Sequence, residues 1–255
     1  MYSRYKGAIY GKGKYFYFVD SDDIILKKGI RNSYNFINKN NLDMIQFNSL
    51  WEKNNKTFIN RRSYKYISTI YQPILKYIYY YKNNSGIENN YCIWDKLIKK
   101  KVVFKSLRYI GTKFLNKRII IENDVVLLFS FFRNSNNFKY IDELCYYSNR
   151  NNIDSIYNSR VDLNKSNELI YSIFSNIEFF YDKTGKTKFS KYFCLFKLFQ
   201  GYYRYINCFK YSTNNTLEKV LKILNKLLES NYISPKHKIL IGNISSNISL
   251  IRNTK

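Results

Sequence analysis

The sequence predicts an α/β domain followed by a helical C-terminal region. Three observations lead there. Residues 13–19, Gly-Lys-Tyr-Phe-Tyr-Phe-Val, read as a short buried apolar strand running into Asp20-Ser21-Asp22-Asp23. Strand-like and helix-like segments then alternate as far as residue 155. Beyond that point the apolar pattern is helical only.

Taken in order, residues 26–41 place Ile30, Tyr34 and Ile37 on one helical face, and residues 42–47 read as a second strand. Residues 52–62 are polar and basic, a hairpin or loop. Residues 66–82 are helical, with Pro73 starting or kinking the helix, and 83–86 (Asn-Asn-Ser-Gly) form a turn. A helical stretch including Trp94 and Leu97 is expected next. Asn123 is a good cap and Asp124 suits the first turn of a helix. A short strand is expected over 138–141 and a polar turn over 149–155. The domain boundary falls just beyond that turn, giving domains 1–155 and 156–255. Helices follow over 169–181, 189–209 and 217–228, with a weaker one near the end. Leu217, Val220, Leu221, Leu224, Leu227 and Leu228 make an i, i+3, i+4 stripe.

Composition narrows the function classes. A chain of 255 residues can bury one sizeable core plus an appendage. A formal net charge of +25 attracts polyanions, phosphates and acidic membranes. Lys and Arg run along the whole chain, which favours a generally cationic surface over a dedicated nucleic-acid arm. Cys92, Cys145, Cys194 and Cys208 have no Cys-x-x-Cys spacing, arguing against a zinc site or disulfide framework and for free thiols in a reducing compartment. His237 is the sole histidine, which nearly excludes imidazole triads and histidine metal clusters. No signal peptide is visible, and the longest apolar run, 125–132, is far short of the ~20 residues of a membrane span. A cytoplasmic protein is expected, with peripheral contact at the anionic inner membrane face. Residues 191–199 and 202–205 interleave aromatic and basic side chains, which suits either a bilayer surface or a buried helix with snorkelling lysines.

The acidic knot carries the chemistry. Carboxylates crowded this closely repel one another unless a cation sits among them, and oxygen ligands suit Mg²⁺ or Mn²⁺. The carboxyl end of a strand is also where open α/β sheets hold ligands. The functional reading is a metal clamp for a phosphate-bearing substrate; the plain reading is a solvated acidic turn.

The flanking residues resemble family 2 glycosyltransferases. Ser3-Arg4-Tyr5-Lys6-Gly7, then Gly13-Lys14-Tyr15 leading to Val19-Asp20-Ser21-Asp22-Asp23, is similar to that family's Arg-x-x-Gly segment, strand and Asp-x-Asp motif. Trp94-Asp95-Lys96-Leu97 resembles its Trp-Asn-Lys-Leu acceptor-side segment. Glu122-Asn123-Asp124, an apolar helix, then Tyr140-Ile141-Asp142-Glu143 and Tyr146-Tyr147 resemble its Glu-Asp, helix and Tyr-x-Tyr strand. The resemblance implies a GT-A, Rossmann-like nucleotide-diphospho-sugar transferase domain, matched in its later part. The strands that hold the base and ribose would precede Ser3, so a truncated domain impaired in transfer is the expectation.

By resemblance, Asp20, Asp22 and Asp23 hold Mn²⁺ or Mg²⁺, and Arg4, Gly7 and Asp20 lie on the donor phosphate side. Trp94 and Lys96 lie on the acceptor side, although a Trp at this spacing from Leu97 is also an ordinary core residue. The base is Asp124 or Glu122, with Asp124 in register; Asp124 as a mere helix cap is the plain alternative. The implied function is inverting transfer of a sugar from a nucleotide-diphosphate donor to a glycan or lipid-linked acceptor in cell-surface polysaccharide biosynthesis. The alternative is a non-catalytic basic binding module, either a degenerate transferase or an RNA-binding protein; no RNA-binding motif is present, and no specific nucleic-acid partner is expected.

Overall fold

The computed structural model describes residues 1–53, 56–60, 92–121, 123–149, 165–184, 198, 202, 206–231 and 233–254. The expected helix over 66–82 with Pro73, the turn at 83–86, the boundary near 155, most of the helix over 189–209 and the aromatic-basic segments (save 198 and 202) lie outside the described residues. The chain divides into two compact units. One comprises residues 1–117 and 127–158, the other 118–126 and 159–255.

The first unit opens with a helix the sequence did not announce, α1 (Tyr2–Tyr10), in which only Ala8 is buried. Next come β1 (Tyr15–Tyr17), β2 (Ile24–Ile25), α2 (Lys27–Lys39), β3 (Met44–Lys53) and β4 (Lys56–Asn60). After residue 92 follow β5 (Lys96–Lys99), α3 (Lys100–Ile110), α4 (Thr112–Leu115), α5 (Asn123–Asn134) and β6 (Phe138–Asn149). The strands join in one mixed sheet of order β1-β5-β3-β6-β2, with β4 paired to the far end of β3. Among the described strands only β3 and β6 run parallel, with shifts of register between Gln46 and Ser49; the other pairings are antiparallel.

Two sequence expectations are corrected. The stretch holding Trp94 and Leu97 is not helical: Trp94 lies in a turn, and Lys96–Lys99 is a strand inserted between β1 and β3, Ile98 pairing with both Phe16 and Met44. Pairing on both edges overrides local helical spacing, and the helix begins only at Lys100. The strand before the acidic turn is also shorter than expected, three residues rather than seven, and half-buried because β1 stands at an edge of the described sheet. The strand expected over 42–47 extends to Lys53, and the polar stretch after it proves to be the β3–β4 hairpin.

Side chains of alternating parity separate the two faces of β1. Tyr15 and Tyr17 pack with a core of Ile37, Leu42, Ile45, Phe47, Trp94, Leu97, Ile141, Cys145 and Tyr146 beneath α2. Phe16 turns the other way, its ring 6.3 Å from Phe104 of α3, and Phe18 beyond it stacks on Phe131 at 5.8 Å. Gly29 lets α2 lie against β6: a Cβ there would stand 1.9 Å from the Leu144 carbonyl oxygen.

The second unit is helical among its described residues: α6 (Ser166–Thr184), α7 (Ile206–Tyr211), α8 (Asn214–Glu229) and α9 (Pro235–Asn253). The stripe read from the sequence is its interior, with Leu217, Val220, Leu224 and Leu227 buried. Leu221 and Leu228 lie at its half-exposed margin. Thr213 caps α8 by accepting the Thr216 N–H at 3.3 Å, and Pro235 opens α9, where its missing donor has no helical partner to lose. Among the described residues no helix is long and apolar enough to cross a membrane.

Candidate functional site: the acidic turn after the first strand

The chain leaves β1 at Tyr17 and folds back so that the Asp23 N–H donates to the Asp20 carbonyl at 3.2 Å. This tight turn presents three carboxylates within four residues, as the sequence required. The Asp20 carboxylate accepts a 2.7 Å bond from the Arg4 guanidinium, an ion pair whose side chains keep 21% (Arg4) and 41% (Asp20) of their surface. Asp22 is exposed and Asp23 half-buried.

The turn is fastened to the sheet by one residue that sequence reasoning noticed only as part of a motif. Tyr146, in the second half of β6 and with no exposed surface, accepts from the Asp20 N–H at 3.3 Å and donates its hydroxyl proton to the Asp23 carboxylate. Burial, and then the bond to Asp23, push the Tyr146 phenol well above the ordinary tyrosine range, which keeps it protonated as a donor. Burial likewise pushes Tyr17 upward. The Tyr146 ring stacks on Trp94, centroids 4.5 Å apart and planes 14° from parallel.

Trp94 and Lys96, expected on an acceptor side, are core residues in this geometry. Trp94 keeps 9% of its surface, and the face stacked on Tyr146 is taken. The Lys96 ammonium is wholly buried, paired with the Asp95 carboxylate and donating to the Cys92 carbonyl at 2.7 Å. Asp95 also accepts from the Gln46 amide at 2.6 Å, and its carbonyl accepts the Phe47 N–H at 3.1 Å. Sequence reasoning missed this buried Gln46–Asp95–Lys96 set; the adjacent acid and base in an otherwise apolar stretch was the available signal.

Gly7 lies in α1, and apart from its chain neighbours and its own helix backbone nothing described stands within 4 Å of where a Cβ would be, so that side of the helix is open. Asp124 sits half-buried in the first turn of α5, as expected, and is counted with the second unit. Asn123 is the first residue inside that helix rather than its cap, and its amide donates to the Ile119 carbonyl at 3.3 Å. Glu122 lies outside the described residues.

The donor set of the turn fits a hard divalent cation, being all carboxylate oxygen and open to solvent at Asp22. Among the described residues no three His, Cys, Asp or Glu side chains converge into a full metal cage. Mg²⁺ does not require one, since it is commonly held by one or two carboxylates together with substrate phosphates.

No family model matches the sequence, and no curated protein matches it. Among solved structures, the chain is similar to S. aureus TarS 1-349 in complex with UDP, at 15% identity and a TM-score of 0.52, over 96% of this chain and 66% of that one. A structure of TarS 1-349 in complex with UDP-GlcNAc aligns at 14% identity and a TM-score of 0.42, over 98% of this chain and 68% of that one. The chain thus spans just under two thirds of the first of these structures. At such identities the likeness is one of fold, and the fold is a mixed α/β, GT-A-like arrangement.

Proposed function

We propose that the chain is a family 2 glycosyltransferase that moves a sugar, with inversion, from a nucleotide-diphosphate donor to a glycan or lipid-linked acceptor. The observation that carries this reading is the acidic turn itself. Asp20, Asp22 and Asp23 are gathered beyond the carboxyl end of a strand, braced by Arg4 and Tyr146, in a fold shared with a protein crystallised with UDP.

Asp22, with Asp20, would hold Mg²⁺ or Mn²⁺. When bound, that cation offsets the charge of the leaving diphosphate as a Lewis acid. The Arg4 guanidinium, paired with Asp20, would exchange that carboxylate for a phosphate oxygen, since a planar, permanently charged donor suits either partner. The open backbone at Gly7 leaves room for a ligand to approach α1. Removal of the acceptor hydroxyl proton is assigned to Asp124, a role that rests on the resemblance and on its place at the start of α5.

The test is calorimetry of the chain with UDP and UDP-sugars, with and without Mn²⁺. Binding that requires the cation supports the reading; absence of binding under both conditions overturns it.

A further inference from the structure

The inference rests on the proposed function and concerns how the same site is held. Tyr146 joins three things that are far apart in sequence. Its hydroxyl meets both ends of the acidic turn, at the Asp20 N–H and the Asp23 carboxylate. Its ring stacks on Trp94 at 4.5 Å, and Tyr17 meets it edge-on at 6.2 Å. Tyr17 in turn packs edge-on against Phe47 at 5.4 Å and donates to the Cys145 carbonyl at 3.4 Å. Trp94 leads directly into the buried Asp95–Lys96 pair.

We infer that Tyr146 is the positioning residue of the acidic turn and couples the state of that turn to the Trp94–Asp95–Lys96 segment. A hydroxyl bonded to a carboxylate is a short, charge-assisted contact, stronger than a neutral one. A ligand drawing on Asp20 and Asp22 pulls on a turn whose other end is tied to this hydroxyl. The turn moves only by lengthening that bond or by carrying the ring with it. The ring lies in a close-packed interior, where displacement of one side chain is felt by its neighbours. Trp94, in face-to-face contact, is the first neighbour to respond.

The chain has two tryptophans, Trp51 and Trp94, so a Trp51→Phe background leaves Trp94 as the sole indole emitter. In this background the chain is titrated with Mg²⁺ and UDP, reading Trp94 emission alongside calorimetry. A saturating emission change is expected. Tyr146→Phe keeps the ring and its stack, so a cooperative melt and an unchanged near-ultraviolet spectrum verify the fold. In that variant the emission response is lost and half-saturation rises about tenfold, the scale of one hydrogen bond to a charged group.

An identical response and half-saturation in Tyr146→Phe overturn the inference while leaving the proposed function standing. Calorimetric binding without any Trp94 change in the parent overturns the coupling. A ligand-free arm is independent of the proposed function: Asp23→Ala shifts Trp94 emission on its own, and an unchanged spectrum overturns the inference. Absence of calorimetric binding in the parent overturns the proposed function, and the ligand-free arm then decides the inference alone.

Discussion

Arg4 and Asp20, sixteen residues apart, are joined by a 2.7 Å contact between guanidinium and carboxylate. The pair ties α1 to the acidic turn and places the strongest base of that helix beside the acids. It also divides the labour of the turn. Asp20 is braced by Arg4 and Asp23 by Tyr146, and Asp22 is the most exposed of the three.

Asp22→Ala should therefore abolish cation-dependent nucleotide binding without unfolding the chain. Calorimetry with Mn²⁺ and UDP should show heat for the parent and none above dilution for the variant, with unchanged melting. Equal affinity in both chains would mean that the acids are only a solvated turn.

Asp124→Asn should leave donor binding nearly intact and remove most turnover. A base acts on the acceptor in the transition state, and its loss typically costs ~10²–10⁴ in rate. Steady-state kinetics of an active form should show the fall in kcat with little change in donor KM. A larger loss from Glu122→Gln would move the base to Glu122.

Lys96→Met should destabilise the first unit by ~3–5 kcal/mol, because it strands the buried Asp95 carboxylate without its cation. Adding Asp95→Asn should recover much of the loss, since the second change removes the stranded charge. Urea unfolding of the single and double variants measures both effects. Additive losses would show that the pair does not act as a unit.

Gly29→Ala should also destabilise, by ~1–3 kcal/mol, since the new methyl meets a backbone carbonyl that cannot turn aside. Gly242→Ala in α9 serves as the opposite case. Apart from its chain neighbours and its own helix backbone, nothing described lies within 4 Å of its Cβ position, so helix propensity alone acts and the variant should gain ~0.5–1 kcal/mol. Paired thermal melts check the two signs together.

Alkaline pH should weaken the fold from about pH 9 upward. Burial pushes the Cys145 thiol from an ordinary 9.0 up to about 12, and Tyr17 and Tyr146 move in the same direction. These groups stay protonated when folded and lose protons on unfolding, so stability is whole below the unfolded values and falls as pH rises through the folded ones. Urea midpoints between pH 8 and 11 should decline, and Cys145 should resist thiol reagents at pH 8 until the chain is unfolded.

The sequence was legible where local pattern and final burial agree. The stripe of α8 and the acidic turn were visible, because each is specified by residues a few positions apart; of the face expected on α2, Ile37 is buried and Ile30 half-buried, whereas Tyr34 is exposed and Gly29 and Ser33 are buried instead. The strand at Lys96–Lys99 was not, since it is made a strand by β1 and β3 on either side. The N-terminal helix gave no apolar stripe, as it buries a single alanine. The length of β6 was obscured by Asp142 and Glu143, polar residues whose partners, Asn48 and Asn32, come from β3 and α2. Tyr146 stood in a recognised motif, but its bond to Asp23 joins positions 123 residues apart.

That separation has a kinetic meaning. Among the described strands only the β3–β4 hairpin closes a short loop; β1 waits for β5, and β3 and β2 wait for β6. Distant pairings of this kind slow folding, because chain entropy is lost before contacts compensate. On the ribosome the acidic turn is made long before Tyr146, and until then it has the Arg4 contact but lacks the phenol that ties its two ends. A nascent chain arrested before β6 would thus display its acids without the geometry that gives them a use.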